Sequence, residues 1–93
     1  MTLPDFEWDE GNLRHLRRHK ISPEEFEQVI LNEPLDWEYE NLDGEDRFKS
    51  LGTTDAGRVL IVVWTIRQGC IRAITAYPAS KPYRDIFWRH RKG

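Results

Sequence analysis

The first third of the chain has the pattern of two short helices. Between residues 12 and 20, Leu13 and Leu16 are three positions apart, so both lie on one face of a helix whose other faces are charged. A second helix begins at Ser22, because a serine followed three residues later by Glu25 forms a capping box that satisfies free backbone amides. The buried stripe of this second helix is Phe26, Val29 and Ile30.

Beyond Pro34, which ends the second helix, the hydrophobic pattern changes to strict alternation. Trp37 and Tyr39 fall on one side of a predicted strand, whereas Glu38 and Glu40 fall on the other. The pattern is typical of a strand with one apolar and one acidic side.

Three further strands and a helix complete the predicted fold. The strands cover residues 47–53, 58–66 and 70–77, and turns lie at 42–45, 54–57 and 67–69. The strand at 58–66 holds an unbroken apolar run, which predicts a central strand buried on both faces. The last helix carries Tyr83, Ile86 and Phe87. The expected fold class is α+β, with two N-terminal helices, a four-stranded antiparallel sheet and a C-terminal helix.

The length and composition set limits on the kind of protein. A chain of 93 residues is expected to form one domain over residues 1–93. Its longest apolar run, at 59–64, has the length of a strand and is too short to cross a membrane. The N-terminus has acids where a secretory signal would have bases, so a cytoplasmic location is expected. Cys70, the one cysteine, is expected to pack as a small apolar side chain.

The net charge of −2 hides a strong asymmetry along the chain. Residues 1–46 carry fourteen acidic and four basic side chains, and residues 47–93 carry two acidic and ten basic ones. If the two halves form separate surfaces, the basic one could attract a polyanion and the acidic one a basic partner. Alternatively, the two halves intermingle and form surface ion pairs.

Five short blocks resemble the BrnT-type toxins, a group of RelE-like ribonucleases, in their order and spacing. The blocks are FEWD at 6–9 before a helix that ends at His19, ISPEE at 21–25, GEDRF at 44–48, GRVL at 57–60 and IRAITA at 71–76. The resemblance covers nearly the whole chain. It implies a RelE-like fold and the toxin component of a type II toxin-antitoxin pair.

The chain departs from the BrnT pattern at three places. Its first helix is slightly shorter and has a second histidine, His15. Residues 76–80 stand where typical members have an arginine, and the arginine-rich start of the last helix is reduced to residues 81–84. The chain therefore resembles a divergent branch of the family, and the departures concern activity more than fold.

The resemblance implies metal-independent cleavage of RNA, in which the ribose 2′-hydroxyl attacks the adjacent phosphate. This reaction requires a base, an acid and fixed cations where negative charge develops. Arg47 and Arg72, on predicted strands, are candidate catalytic residues because a guanidinium stays charged and donates through a rigid fork. Either arginine could instead form an ion pair with the acidic N-terminal half.

Two histidines and a tyrosine are the candidates for moving protons. His15 and His19 are four residues apart on one helix face, and imidazole titrates near neutrality. The same spacing can bind a metal, but no third ligand stands at a recognisable spacing, so neither a metal nor a cofactor is expected. His19 could also simply favour the helix C-terminus. Tyr77 could position or protonate a phosphate oxygen, or could pack as strand-end aromatics do.

The expected binding partners are RNA and an antitoxin. Lys49, Lys81 and Arg84 are RNA-binding candidates, and Trp8 could stack on a base. By resemblance, the antitoxin is of the ribbon-helix-helix type, and DNA is contacted only through it. The alternative is a catalytically inactive adaptor or co-repressor of the same fold, which the reduced arginine cluster favours.

Overall fold

The computed structural model describes residues 4–92, which form three helices around a five-stranded sheet. The elements in chain order are β1 (Phe6–Glu7), α1 (Glu10–Arg18), α2 (Pro23–Leu31), β2 (Leu35–Leu42), β3 (Glu45–Thr53), β4 (Val59–Arg67), β5 (Cys70–Pro78) and α3 (Lys81–Lys92). Across the sheet the order is β1-β5-β4-β3-β2. Within residues 4–92, none of the helices has the length and apolar character needed to cross a membrane.

The predicted α+β class is confirmed, but the predicted four-stranded antiparallel sheet is wrong in one respect. β1 adds a fifth strand, and it pairs with β5 in parallel, whereas the other neighbouring strands are antiparallel. A strand of two residues has no detectable period, and its partners are far away in the sequence. Local pattern therefore contained no signal for this strand.

The first helix begins two residues earlier than predicted, at Glu10. The side chain of Asp9 accepts a hydrogen bond from the backbone of Asn12 at 2.9 Å, and the Asn12 side chain accepts one from the Asp9 backbone at 2.7 Å. This reciprocal cap makes Asn12 part of the first turn. The helix ends at Arg18, with His19 as its C-cap.

The capping box predicted for the second helix is confirmed. The Ser22 hydroxyl accepts a hydrogen bond from the Glu25 backbone at 3.1 Å, and the Glu25 carboxylate accepts one from the Ser22 backbone at 3.0 Å. Of the predicted stripe, Phe26 and Val29 are buried and Ile30 is half-buried. α2 therefore presents to the sheet the face that its sequence pattern indicates.

Two tight hairpins join β2 to β3 and β4 to β5. Asp43 and Gly44 have φ of 51° and 85°, and Gln68 and Gly69 have φ of 51° and 78°. Two successive positive φ values are the geometry of a type I′ turn, which suits the twist of adjacent antiparallel strands. Because these turns are so short, the strands run further towards them than the sequence predicted.

The central strand β4 separates two apolar cores. Leu60 and Val62 pack in a core with α1 and α2 that includes Phe26, whereas Ile61 packs in a second core with Phe87 of α3. Successive residues of a strand point to opposite faces, so α1 and α2 cover one face of the sheet and α3 covers the other. The predicted burial of this strand on both faces, and its central position, are confirmed. We call the two sides the α1–α2 face and the α3 face.

Candidate active site

The register of the sheet places Arg47 and Arg72 in one row across the strands. Arg72 pairs with Thr65 of β4. On β3, Phe48 pairs with Trp64 of β4. Because the two strands are antiparallel, Arg47, one residue before Phe48, lies opposite Thr65, one residue after Trp64. Directly opposite residues of antiparallel strands share a face. The two arginine backbones are therefore separated by β4 alone, about 10 Å at the usual strand spacing.

This row lies on the α3 face, beyond the part that α3 covers. Phe87 packs with Leu51 and Ile61, and Ile61 is four positions before Thr65 on β4. Val63, the intervening residue on that face, is half-buried and belongs to neither core. The ends of β3 and β5 that carry Arg47 and Arg72 therefore extend beyond the apolar core that α3 covers.

The cations on β3 are paired with carboxylates but remain accessible. Arg47 Nε lies 3.0 Å from Glu45 Oε1, and Lys49 Nζ lies 3.8 Å from Glu38 Oε2. The Arg47 and Lys49 side chains keep 38% and 32% of their exposure, so both can still meet an incoming anion. Surface pairs of this kind contribute little stability, which makes them easy to exchange for a phosphate.

Arg72 is held more firmly, by two carboxylates. Its Nη1 lies 2.8 Å from Glu7 Oε1 and its Nη2 lies 2.5 Å from Asp9 Oδ2. The hydrogen bond with Asp9, together with the one with Glu7, raises the pKa of the Arg72 guanidinium. The pKa of Asp9 is lowered by the backbone amide of Asn12 and by Arg72. Of the two possibilities that the sequence left open, the ion pair with the acidic half is the contact that Arg72 makes here.

Sequence reasoning missed Glu7 and Asp9 as partners of Arg72. Both belong to the FEWD block, but Glu7 and Arg72 are 65 residues apart in the chain. Only the parallel pairing of β1 with β5 brings Glu7 directly beside Arg72. The acidic side chains around the first helix were the available signal, and they did not specify which base they would meet.

His19 and Tyr77 form a second group at the border of the sheet. Their ring centroids are 6.0 Å apart, with His19 exposed at the C-cap of α1 and Tyr77 half-buried against the α3 core. His15 lies one turn earlier on α1 and is exposed. The structure thus brings one predicted imidazole next to the predicted phenol. It also places His19 at the helix end and Tyr77 on a core, as their alternative roles require.

The remaining predicted RNA-binding residues occupy different places. Lys81 and Arg84 are in the first turn of α3, directly after β5, where Lys81 pairs with Asp85 at 3.0 Å and Arg84 donates to the Ala79 carbonyl at 2.8 Å. Trp8, by contrast, packs in the core on the α1–α2 face. Its ring lies 5.5 Å from that of Phe26 and its Nε1 donates to Glu27 at 2.8 Å. The structure does not group Trp8 with the arginine row.

The candidate groups are cations on the α3 face and, at the C-terminal end of β5, the ring of Tyr77 with His19 of the α1 C-cap beside it. Within the part of the chain that the structure describes, no cluster of three or more histidine, cysteine, aspartate or glutamate side chains is placed to hold a metal ion. Guanidinium, ammonium, imidazole and phenol groups are suited to binding a phosphate and moving protons.

Comparison with known protein families identifies the chain. The family model described as a ribonuclease toxin, BrnT, of a type II toxin-antitoxin system matches residues 8–82. The chain belongs to the BrnT family. The matched BrnT segment includes Asp9, His19, Arg47, Arg72 and Tyr77. BrnT proteins are toxins that work in a pair with an antitoxin, so RNA is the target class and an antitoxin the partner. No curated protein sequence matches this BrnT chain closely.

Proposed function

We propose that this BrnT chain cleaves RNA without a metal ion, by attack of a ribose 2′-hydroxyl on the adjacent phosphate, on the open part of the α3 face. The observation that carries the proposal is the row that places Arg47 and Arg72 on that face. Lys49, two residues after Arg47 on β3, belongs to the same face. We further propose that the chain acts as one domain in the cytoplasm, where RNA is available.

The proposed reaction divides its proton transfers between His19 and Tyr77. One group takes the proton of the 2′-hydroxyl as its oxygen forms a bond to phosphorus. The other gives a proton to the 5′-oxygen as the bond between phosphorus and that oxygen breaks. The products are a 2′,3′-cyclic phosphate and a 5′-hydroxyl. His15, one turn before His19 on α1, is proposed as a second imidazole for this reaction.

Arg72 is five positions before Tyr77 on β5, about 16 Å along the strand, so in this scheme the arginine row binds neighbouring phosphates and not the one being cleaved. Its cations hold the RNA backbone in the orientation that the reaction needs. Arg72 uses Nη1 and Nη2 for Glu7 and Asp9, and its guanidinium has further N–H groups that can donate to a phosphate. Glu7 and Asp9 act in this proposal as positioning residues that fix the direction of the guanidinium.

The proposed partner is a ribbon-helix-helix antitoxin that covers the α3 face and keeps RNA from it. Lys81 and Arg84 lie where α3 meets the end of β5. In the free toxin they would add two cations for the RNA backbone to those of the arginine row. Contact with DNA would come through the antitoxin.

One observation favours a second candidate function. Arg72 already has two carboxylate partners, and its side chain is only 22% exposed. A guanidinium whose charge is balanced in this way can serve structure alone. The second candidate is therefore an adaptor of the same fold that binds its partner protein and leaves RNA intact.

The chemistry of the products separates the two functions. The purified chain is incubated with single-stranded RNA in the presence of a chelator, and the ends of the fragments are identified by mass spectrometry. We expect 2′,3′-cyclic phosphate and 5′-hydroxyl ends. A matched RNA with a 2′-deoxyribose at the cleaved position should resist cleavage there, because the nucleophile has been removed. Intact RNA under all conditions would favour the adaptor.

A further inference from the structure

Three aromatic side chains form a row across the sheet on the α1–α2 face. Tyr39 of β2 pairs with Phe48 of β3, and Phe48 pairs with Trp64 of β4. Their ring centroids are 5.3 and 4.5 Å apart along the row. Trp64 packs against the α1–α2 core, while Tyr39 is 59% exposed at the other end. The row therefore leads from the core to an open border of the sheet.

The open border is β2 itself. β2 is the last strand in the sheet order, with β3 on one side and no strand of residues 4–92 on the other. Its eight residues span about 26 Å, and those after Leu35 are all exposed. A border strand offers backbone donors and acceptors to another strand. The register shift between Asp36 and Glu38 puts Leu35 against the α3 core and Tyr39 on the other face, so the predicted single apolar side of this strand is wrong. Pairing with β3 is regular from Glu38 to Leu42.

The charge of this border decides what it can bind. Residues 35–49 hold two bases, Arg47 and Lys49, and six carboxylates, which leaves a net charge of −4. Antiparallel pairing with a second copy would bring Glu38 and Glu40 opposite the same carboxylates, and like charges at that distance are destabilising. A basic polypeptide is the complementary partner.

A surface hollow of about 370 Å³ lies on this border. Its walls are the aromatic rings of Trp37, Tyr39 and Phe48, with the carboxylates of Asp36 and Glu38 beside them. A lysine or arginine side chain suits such a hollow, because its stem packs on the rings and its charged end meets the carboxylates.

We propose that the outer border of β2 binds a basic, extended segment of a partner protein as an additional strand of the sheet. Basic residues at alternate positions would lie beside Glu38 and Glu40, and apolar residues between them would cover Tyr39. One lysine or arginine of the segment fills the hollow at Trp37. This border adjoins the arginine row, because Glu40 pairs with Arg47 and Glu38 lies 3.8 Å from Lys49, but binding of the segment does not depend on RNA cleavage.

The test uses the full chain and a synthetic peptide of about ten residues in which lysine or arginine alternates with valine or threonine. Calorimetric titration measures binding, and hydrogen exchange measures the protection of the β2 amides. We expect the peptide to bind and to slow exchange in β2. Trp37→Ala should weaken binding roughly tenfold, as should the double variant Glu38→Gln with Glu40→Gln.

Matched controls isolate the border. Trp88→Ala removes another exposed tryptophan, on α3, and Glu24→Gln another exposed glutamate, on α2, and both should bind the peptide like the parent. A peptide with glutamate at the basic positions should not bind, nor should one whose N–H groups are removed by N-methylation. Circular dichroism confirms that each variant is folded.

Three results would overturn the proposal. These are absence of binding, equal binding by the Trp37→Ala variant, and binding without added protection of β2. A dimer of the parent that Trp37→Ala abolishes would assign the border to a second copy instead. The Trp37→Ala variant should cleave RNA at the parent rate, so failure of the ribonuclease proposal and failure of the peptide-binding proposal give different results.

Discussion

Arg72 and Glu7 are directly paired residues of β5 and β1, and the guanidinium donates a hydrogen bond to the carboxylate at 2.8 Å. Asp9, the N-cap of α1, binds the same guanidinium. The side chain proposed to bind phosphate thus also joins β1, the start of α1 and β5. Substitutions at Arg72 affect stability and activity together, and experiments must separate the two.

Replacing Arg72 tests the proposed electrostatic role. Arg72→Ala should lower the rate of RNA cleavage by about 10²-fold, because a fixed cation that positions the RNA backbone is lost. Arg72→Lys keeps the charge but not the fork of donors and should retain part of the rate. Initial rates are measured on a fluorescent single-stranded RNA at a temperature where circular dichroism shows both variants folded.

The matched control is Arg67→Ala. Arg67 lies 3.9 Å from the same Glu7 carboxylate, but its side chain is 60% exposed and it is not in the arginine row. Its substitution should leave the rate within about twofold of the parent, as is usual for an exposed pair. Undiminished cleavage by a folded Arg72→Ala protein would end the proposed mechanism.

The contact between His19 and Tyr77 predicts that substituting either residue lowers the rate of RNA cleavage. His19→Ala should lower the cleavage rate by about 10²- to 10⁴-fold, the usual contribution of general acid-base catalysis. Tyr77→Phe keeps the packing against the α3 core and removes only the hydroxyl, so any loss of rate reports its chemistry. Single-turnover rates are compared with those of His90→Ala, an exposed histidine of α3. Equal losses in the His19 and His90 variants would assign the effect to charge in general.

Asp9 predicts a pH dependence of stability. Its pKa is lowered from an ordinary value of 3.8 by the Asn12 amide and by Arg72. A lowered pKa in the folded state means that the charged form stabilises the fold. The contribution is complete above about pH 5 and is lost as the pH falls through 3.8 and then through the lower folded value.

Asp9→Asn isolates this effect, because asparagine still caps a helix but cannot form the ion pair. Urea unfolding should show the variant less stable than the parent at about pH 6. The difference should shrink as the pH falls below 3.8, where Asp9 of the unfolded chain is protonated, and vanish once the folded carboxyl is protonated too. A difference that stays constant across this range would show that the charge of Asp9 does not contribute.

Gly52 predicts a packing requirement between α2 and β3. A Cβ at this position would lie 3.0 Å from Val29 Cγ1 and 3.2 Å from Pro34 Cβ. Gly52→Ala should therefore lower the free energy of unfolding by about 1–3 kcal/mol, because a close-packed core must move to admit the methyl group. Urea unfolding measures the change. A Gly52→Ala variant as stable as the parent would show that α2 can shift at little cost.

Local interactions made much of the fold predictable. The capping box of Ser22 and Glu25 involves residues three apart, and the apolar run around Leu60 required a strand buried on both faces. The same locality explains the errors. The side chain of Asn12 completes the cap of α1, so the helix begins before its hydrophobic pattern does. β1 has two residues and no pattern at all.

The candidate site was predictable in its residue types and not in its contacts. The two arginines were predicted as phosphate ligands, and the register places them in one row. The carboxylates that bind Arg72, and the position of Trp8 in the core on the α1–α2 face, depend on which strands are neighbours in the sheet.

Sequence by itself determined the types of the elements from α1 to α3, the α+β class and the BrnT family, because helix caps, hydrophobic periods and family motifs depend on residues close together in the chain. Tertiary structure alone decided that helices cover both faces of the sheet, that Glu7 meets Arg72 and that an acidic, aromatic border is left open at β2. These relationships join residues far apart in the chain, and the strand pairing that creates them is settled only when the two cores pack.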